Sequence, residues 1–219
     1  MRHDFEPLLD PVALASLRPT QMTVGLREVA RKRQGWRARA KRDGPAFLGR
    51  HMIPVVLGPG PRPFVLDNHH LALALRQEGV EHVLVKIVVD LSGLEKPAFW
   101  TFMDSRNWLH PFDSEGARRS RARLPKGLDD LVDDPYRSLA GEVRRAGGYA
   151  KDETAYSEFL WGDFLRRRIA AKALAQDFDG AVIEALAHCH RPEASYLPGW
   201  CGAHEALARP ASRPQAKAD

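Results

Sequence analysis

Val65-Leu66-Asp67-Asn68-His69-His70-Leu71-Ala72-Leu73-Ala74-Leu75 reads as a short strand that enters a tight turn and leaves it as a helix. The first backbone N–H groups of a helix have no partner within it and lie at the positive end of its dipole. An anion placed there meets donors that the fold has already oriented. Asn68 belongs to one of the few non-glycine types that tolerate a left-handed turn, which suits so sharp an entry. His69 and His70 add two imidazoles whose charge state is adjustable near neutral pH. Asp67 has three open roles: capping the helix, holding an imidazole, or ligating a metal ion. The pattern predicts a phosphate seat at this turn. The competing expectation is plain packing, with Asp67 as an N-cap and one histidine as a satisfied core residue.

Working outward, Met52 to Leu57 is an apolar run ending at Gly58-Pro59-Gly60-Pro61, and Phe64-Val65-Leu66 follows it in a hairpin pattern. A helix is predicted from His70 to Glu78, packing Leu71, Ala72, Ala74 and Leu75, with Gly79 as its stop. His82 to Leu91 contains the β-branched stretch VLVKIVV and predicts a buried strand. Upstream, Thr23 to Ala40 sets Val24, Leu26, Val29, Ala30 and Trp36 among basic residues, an amphipathic helix with Thr23 as its cap. Beyond Leu94, helices are predicted near 97–108, 135–146, 153–168 and 170–187, punctuated by Pro111, Pro125, Pro135, Pro192 and Pro198. The fold class is α+β: a small mixed sheet with helices, followed by a helical C-terminal half. The expected organisation is an N-terminal arm (1–14), an α+β core (15–112), a helical extension packed on it (113–201) and a flexible tail (202–219).

The 219 residues are 44% hydrophobic and 28% charged, enough apolar matter for a real core and too much for wholesale disorder. Two cysteines exclude a disulfide-built scaffold and suit a reducing compartment. No run of about 18 apolar residues is present, so no membrane partner is expected. The acidic, proline-broken start MRHDFEPLLDP is unlike a secretory signal, and a soluble cytoplasmic protein is the expectation. Thirty-three Lys and Arg against 28 Asp and Glu give a net charge of +5. Arg27, Arg31, Lys32, Arg33, Arg37, Arg39, Lys41 and Arg42 surround a single acid, Glu28. Arg118, Arg119, Arg121, Arg123 and Lys126 form a second cluster. Such runs are either solvated surface or an attraction for phosphate, on a nucleotide or on a nucleic-acid backbone.

Taken together, these residues resemble the ParB-like/sulfiredoxin-like superfamily, and within it the ParB-like nuclease group. Members carry a strand, an Asp-Gly-His-His or Asp-His-His-His turn, then a helix, and Asp67-Asn68-His69-His70 matches three of the four positions. Leu17-Arg18-Pro19-Thr20-Gln21, continuing through Val24-Gly25 and Glu28-Val29, is similar to the group's opening segment. Its helical second half is similar to the stretches Asp133 to Ala140, Gly147-Gly148-Tyr149 and Glu158 to Arg166, and its end to Leu197-Pro198-Gly199-Trp200. The resemblance spans residues 15–201. It implies a small ParB/sulfiredoxin-like mixed sheet and a nucleotide phosphate seated at the strand–helix turn, as in DNA-partitioning clamps, sulfiredoxins and free-serine kinases. Two positions depart from the pattern. Asn68 replaces a frequent Gly or His and stands where sulfiredoxins carry their catalytic cysteine, and Leu71 replaces the Arg of several kinase-like relatives, removing a bidentate phosphate partner.

The same resemblance implies a general base from the early helix, and Glu28 matches it by order. A carboxylate there accepts a hydroxyl proton or faces Mg²⁺ across phosphate; otherwise it pairs with Arg31 or Lys32. Thr20 and Gln21 are implied to bind the ligand's base or sugar. The expected catalytic residues are Glu28, His69 and His70, and the expected binding residues are Thr20, Gln21, Lys32, Asp67, Asn68, His69 and His70. The expected cofactors are a nucleotide (ATP, ADP or CTP) and Mg²⁺, with Asp67 as metal ligand. The leading function is a phosphoryl-ester enzyme, either a nuclease or a nucleotide hydrolase or phosphotransferase, with DNA or a small-molecule acceptor as further partner. The alternative is a non-catalytic nucleotide- or DNA-binding regulatory module. Glu158, Trp161, Asp163 and Arg166 read as a second pocket wall or as helix packing with an i,i+3 pair, and Asp133, Asp134 and Arg137 as a site or as caps. His188-Cys189-His190 with Cys201 and His204 has zinc-ligating types, but the spacing matches no usual zinc pattern.

Overall fold

The computed structural model describes residues 11–203; the expectations for the first ten residues and for positions from 204 onward, His204 included, lie outside the described residues. The chain divides into two compact units, one ending at Ser138 and the other beginning at Leu139.

The first unit opens with three two-residue strands, β1 (Val12–Ala13), β2 (Arg18–Pro19) and β3 (Thr23–Val24), and then the long helix α1 (Leu26–Arg50). Next come β4 (Ile53–Gly58), β5 (Arg62–Val65), α2 (His69–Gln77), β6 (His82–Val83), β7 (Val85–Asp90), α3 (Lys96–Ser105) and β8 (Val132–Asp133). The helix α4 (Pro135–Arg145) follows and contains the division between the units. A four-stranded sheet has the order β2-β5-β4-β7: β4 and β5 form the antiparallel hairpin, while β2 runs parallel to β5 and β7 parallel to β4. Val55 pairs with Val65 in that hairpin, which fixes where β5 ends and hence where α2 starts. One face of the sheet packs Ile53, Val55 and Val65 with Val29, Phe47 and the Leu71 to Leu75 run, all buried. The other packs Val56 and Phe64 against Phe99 and Met103 of α3.

Several predicted elements shift for identifiable reasons. Thr23 lies in β3, paired with Val132, so the α1 N-cap is Gly25 instead. α1 runs ten residues beyond Ala40 with a break in helical geometry at Asp43, two positions before Pro45, whose ring and missing N–H disturb the preceding turn. The predicted strand over 82–91 is two strands: β6 pairs with β1, and β7 takes the sheet edge. Its apolar run is not buried, Ile87 being 52% and Val88 46% exposed. The β4–β7 register slips between Val55/Ile87 and Val56/Val89, leaving Val88 as a bulge. α2 and its stop follow expectation, with Gly79 at φ 75°.

In the second unit, α5 (Ser157–Arg166) precedes α6 (Ala171–Gln176) and α7 (Phe178–Cys189). The last two replace one predicted helix, because the Asp177 carboxylate accepts from Gly180 N at 2.9 Å and starts α7 afresh. Tyr149 stacks on Trp161 at 4.3 Å and donates to the Ala140 carbonyl, and Trp161 Nε1 donates to Pro198 O. Glu158 pairs with Arg144 at 2.7 Å, and Asp163 pairs with Arg167 as well as Arg166.

Candidate functional site

Two helix starts meet at the predicted turn, and they differ in how their leading amides are used. At α1, Gly25 N donates to His70 Nε2 at 3.0 Å, Leu26 N to Asp133 Oδ1 at 2.8 Å and Arg27 N to Ser138 Oγ at 3.4 Å. Protein groups thus consume that helix's positive end. Gly25 is required here by close approach, since a Cβ would sit 2.6 Å from Ser138 Oγ and 2.8 Å from Ser138 N. At α2 the leading amides are not used in this way. Asn68 adopts the left-handed conformation (φ 66°, ψ 24°) and no side chain caps the helix. Asp67, for which capping was one of three open roles, turns its Oδ1 back to Asn68 N at 2.6 Å. The first helical bond is Ala72 N to Asn68 O, and the amides of His69, His70 and Leu71 have no protein acceptor among the described residues.

The two imidazoles follow the packing expectation. His69 is 2% and His70 8% exposed. His69 Nε2 accepts from Thr20 N at 3.2 Å, and His70 Nε2 accepts from Gly25 N. An imidazole that accepts at Nε2 carries its proton at Nδ1 and is neutral. Burial pushes the His69 pKa down to about 3. Burial also drives His70 well below the ordinary value, helped by the positive charge of Arg137, by the neighbouring His69 imidazole and by Lys32. The rings therefore pin the turn to the residue after β2 and to the N-cap of α1, each retaining one N–H donor.

The remaining predicted residues gather around this node. Thr20 Oγ1 donates to Val65 O at 2.6 Å and Gln21 Nε2 to Thr23 O at 2.7 Å, so both side chains are engaged by backbone. Glu28 is held by Arg31 at 2.9 Å and lies 3.9 Å from Lys32 Nζ, the intrahelical pairing weighed against catalysis. Lys32 is also close enough to bear on His70. Arg137 bears on His70 and on His110. Sequence reasoning assigned Arg137 to capping or to a separate site and missed His110. His110 N donates to Thr20 O at 2.8 Å, and its pKa is pushed down to about 4 by burial and by Arg137. Nothing in the pattern around Leu109-His110-Pro111 announces this; the contact is purely tertiary. Asp133 serves as a cap, and Asp134 Oδ1 accepts from Tyr136 N at 2.9 Å.

Among the described residues no three His, Cys, Asp or Glu side chains converge to cage a metal ion. Asp67 is exposed, with one carboxylate oxygen on Asn68 N. A lone carboxylate of this kind suits Mg²⁺ only together with substrate phosphates, which is the usual way that ion is bound. The zinc types remain apart: Cys189 is buried, its thiol pushed up to about 12 by burial, and Cys201 is exposed. No helix among the described residues is long and apolar enough to cross a membrane.

The mixed sheet, its strand-to-helix turn and the node that pins it define a ParB-like α+β domain. The chain belongs to the family described as "Putative ParB-like nuclease", which it matches over residues 11–167. It is similar, at 50% identity, to protein Atu1540 from Agrobacterium tumefaciens, whose crystal structure matches with a TM-score of 0.83 over 90% of this chain and 100% of that one. Comparison with curated proteins finds no match.

Proposed function

We propose that this ParB-like protein binds the phosphate of a nucleotide or nucleic acid at the start of α2 and cleaves or transfers a phosphoryl ester there. One observation carries the reading: α1 spends its leading amides on protein groups, whereas those of His69, His70 and Leu71 have no protein acceptor among the described residues, and Lys32 and Arg137 are near enough to act on the His70 ring. Amides fixed by the fold and flanked by cations stabilise negative oxygen without reorganising when charge develops. His69 and His70 act as neutral positioning groups with one remaining N–H each, not as imidazolium ions. Asn68 gives the chain its sharp entry. Glu28 is the candidate base: water or an acceptor hydroxyl attacks phosphorus, its proton passes to the carboxylate, and the bond to the leaving oxygen breaks. Mg²⁺, held by Asp67 and the substrate phosphates, would supply charge neutralisation. A cytoplasmic setting with a nucleotide such as ATP, ADP or CTP fits this chemistry.

The second reading, a non-catalytic regulatory module, draws on the engagement of Thr20, Gln21 and both imidazoles by backbone groups, which suits a rigid binding seat. One experiment separates the two. The protein is incubated with nucleotides and oligonucleotides plus Mg²⁺, and product release is followed beside the ligand-induced shift in Tm. Turnover lost in Glu28→Gln and weakened in Lys32→Gln supports the enzyme. A saturable Tm shift without product supports the module. Absence of both overturns the phosphate seat.

A further inference from the structure

We propose that the cavity beside the turn of the β4–β5 hairpin binds an aliphatic carboxylate, with its hydrocarbon chain against Val12, Leu57, Val85 and Ile87 and its head group on Arg62. The proposal does not rest on the phosphate reading of the α2 start. The cavity is lined from the beginning of β5, by Arg62 and Pro63, whereas α2 follows the end of that strand.

The cavity has a volume of about 590 Å³, within the range of small-molecule sites. Val12, Leu57 and Val85 are half-buried side chains that pack against the main apolar cluster and also line the cavity. Ile87 extends this wall and is 52% exposed, because β7 takes the edge of the sheet. Across the hairpin Leu57 pairs with Pro63 and Gly58 with Arg62, so the register sets a cation next to the apolar wall. Gly60 and Pro61 line the cavity from the turn, a motif that the proposed phosphate chemistry does not use. Pro59 and Pro61 fix the backbone φ on either side of Gly60. A wall fixed in this way loses little freedom when a ligand binds.

The polar groups around the cavity select the ligand's chemistry. Arg18 and Arg62 line it, and among the described residues neither has an acidic partner within 4 Å. Arg18 Nη1 donates to the Lys126 carbonyl, while Arg62 is exposed. A guanidinium offers a fixed fork of N–H donors that a carboxylate accepts in two parallel bonds. The Ser16 hydroxyl donates to Ala13 O at 2.7 Å. Among the described residues no aromatic ring, carboxylate or side-chain amide lines the cavity. It therefore provides neither a stacking face nor the acceptors that read a base edge, and it disfavours a cationic ligand. Hydrocarbon surface with uncompensated positive charge beside it complements a chain that ends in a carboxylate.

The test is isothermal titration of the full chain with decanoate below its micelle concentration. Decanoate should bind saturably, and shortening the chain to octanoate and then hexanoate should weaken binding about tenfold at each step. Decanol, with the same chain and no charge, should bind at least about tenfold more weakly than decanoate. Arg62→Gln should weaken decanoate about tenfold and leave decanol unchanged. Ile87→Asp changes a side chain that is already exposed, which the fold tolerates, and it should abolish decanoate binding. Arg39→Gln, on the exposed face of α1, should change nothing. A flat titration, uptake that never saturates, affinity indifferent to chain length, or wild-type decanoate affinity in Arg62→Gln overturns the proposal.

Discussion

Acidification from pH 7.5 to 5.5 should destabilise this protein through imidazoles that cannot take up a proton while folded. His69 is pushed down to about 3 and His110 to about 4, and His70 is driven well below its ordinary value, in each case chiefly by burial. In the unfolded chain all three return to about 6.5. Between that value and their folded pKa the unfolded state binds more protons, so stability is full above pH 6.5 and declines as pH falls. One unit below 6.5, each ring costs about 1.4 kcal/mol, and three cost about 4 kcal/mol. The figure is insensitive to the exact folded values, about 3 for His69 and about 4 for His110, and takes from His70 only the direction of its shift. Carboxylates held low, such as Glu78 at about 2 through Arg37 and Arg33, begin to matter only below this window. Urea unfolding at the two pH values measures the difference. In the double variant His69→Gln, His70→Gln an amide oxygen stands in for each Nε2 acceptor without titrating, and the difference should shrink by about 3 kcal/mol. His188, also lowered by burial, contributes equally to both proteins and cancels. A wild type that loses under 1 kcal/mol, or a variant that loses as much as the wild type, refutes the placement of these rings.

Gly25→Ala forces a methyl onto Ser138, an overpacking that should cost about 1–3 kcal/mol and lower Tm in a thermal scan. Asp133→Ala leaves Leu26 N without its acceptor; about 1 kcal/mol should be lost, a fall of roughly 2–4 °C in Tm, and Asp133→Asn should restore most of it. Of the two thiols, exposed Cys201 should react at once with an aromatic disulfide reagent, while Cys189, buried with its thiol held near 12, should react only in denaturant.

The hairpin, α2 and the left-handed Asn68 were legible because local signals coincide there: an apolar run, a Gly-Pro turn, then a strand feeding a helix. The phosphate seat was half legible. Sequence suggests unpartnered amides at α2 and two histidines in the turn, but only tertiary contact shows that the rings accept from Thr20 and Gly25. Where long-range pairing overrode local preference, reading failed. Thr23 is a sound cap by type, yet Val132 draws it into a strand and Asp133, over a hundred positions away, caps the helix instead. The apolar β7 run suggested burial because strand patterns do not say which strand takes the edge. The basic run on α1 left solvated surface and phosphate attraction both open because its principal neutraliser, Glu78, lies outside the helix.

The knot at Gly25 has a kinetic corollary. His70 closes a span of 45 positions onto that amide, and Asp133 closes one of 107 onto the next. Neither closure gains anything from local structure, and loops of that size form late because their ends must first find each other. Nascent chains lacking the segment around Asp133 to Ser138 would leave the amides of Leu26 and Arg27 to water, with Gly25 N alone already met by His70. Completion of the α1 cap is thereby timed to the arrival of α4, long after the sheet has been synthesised.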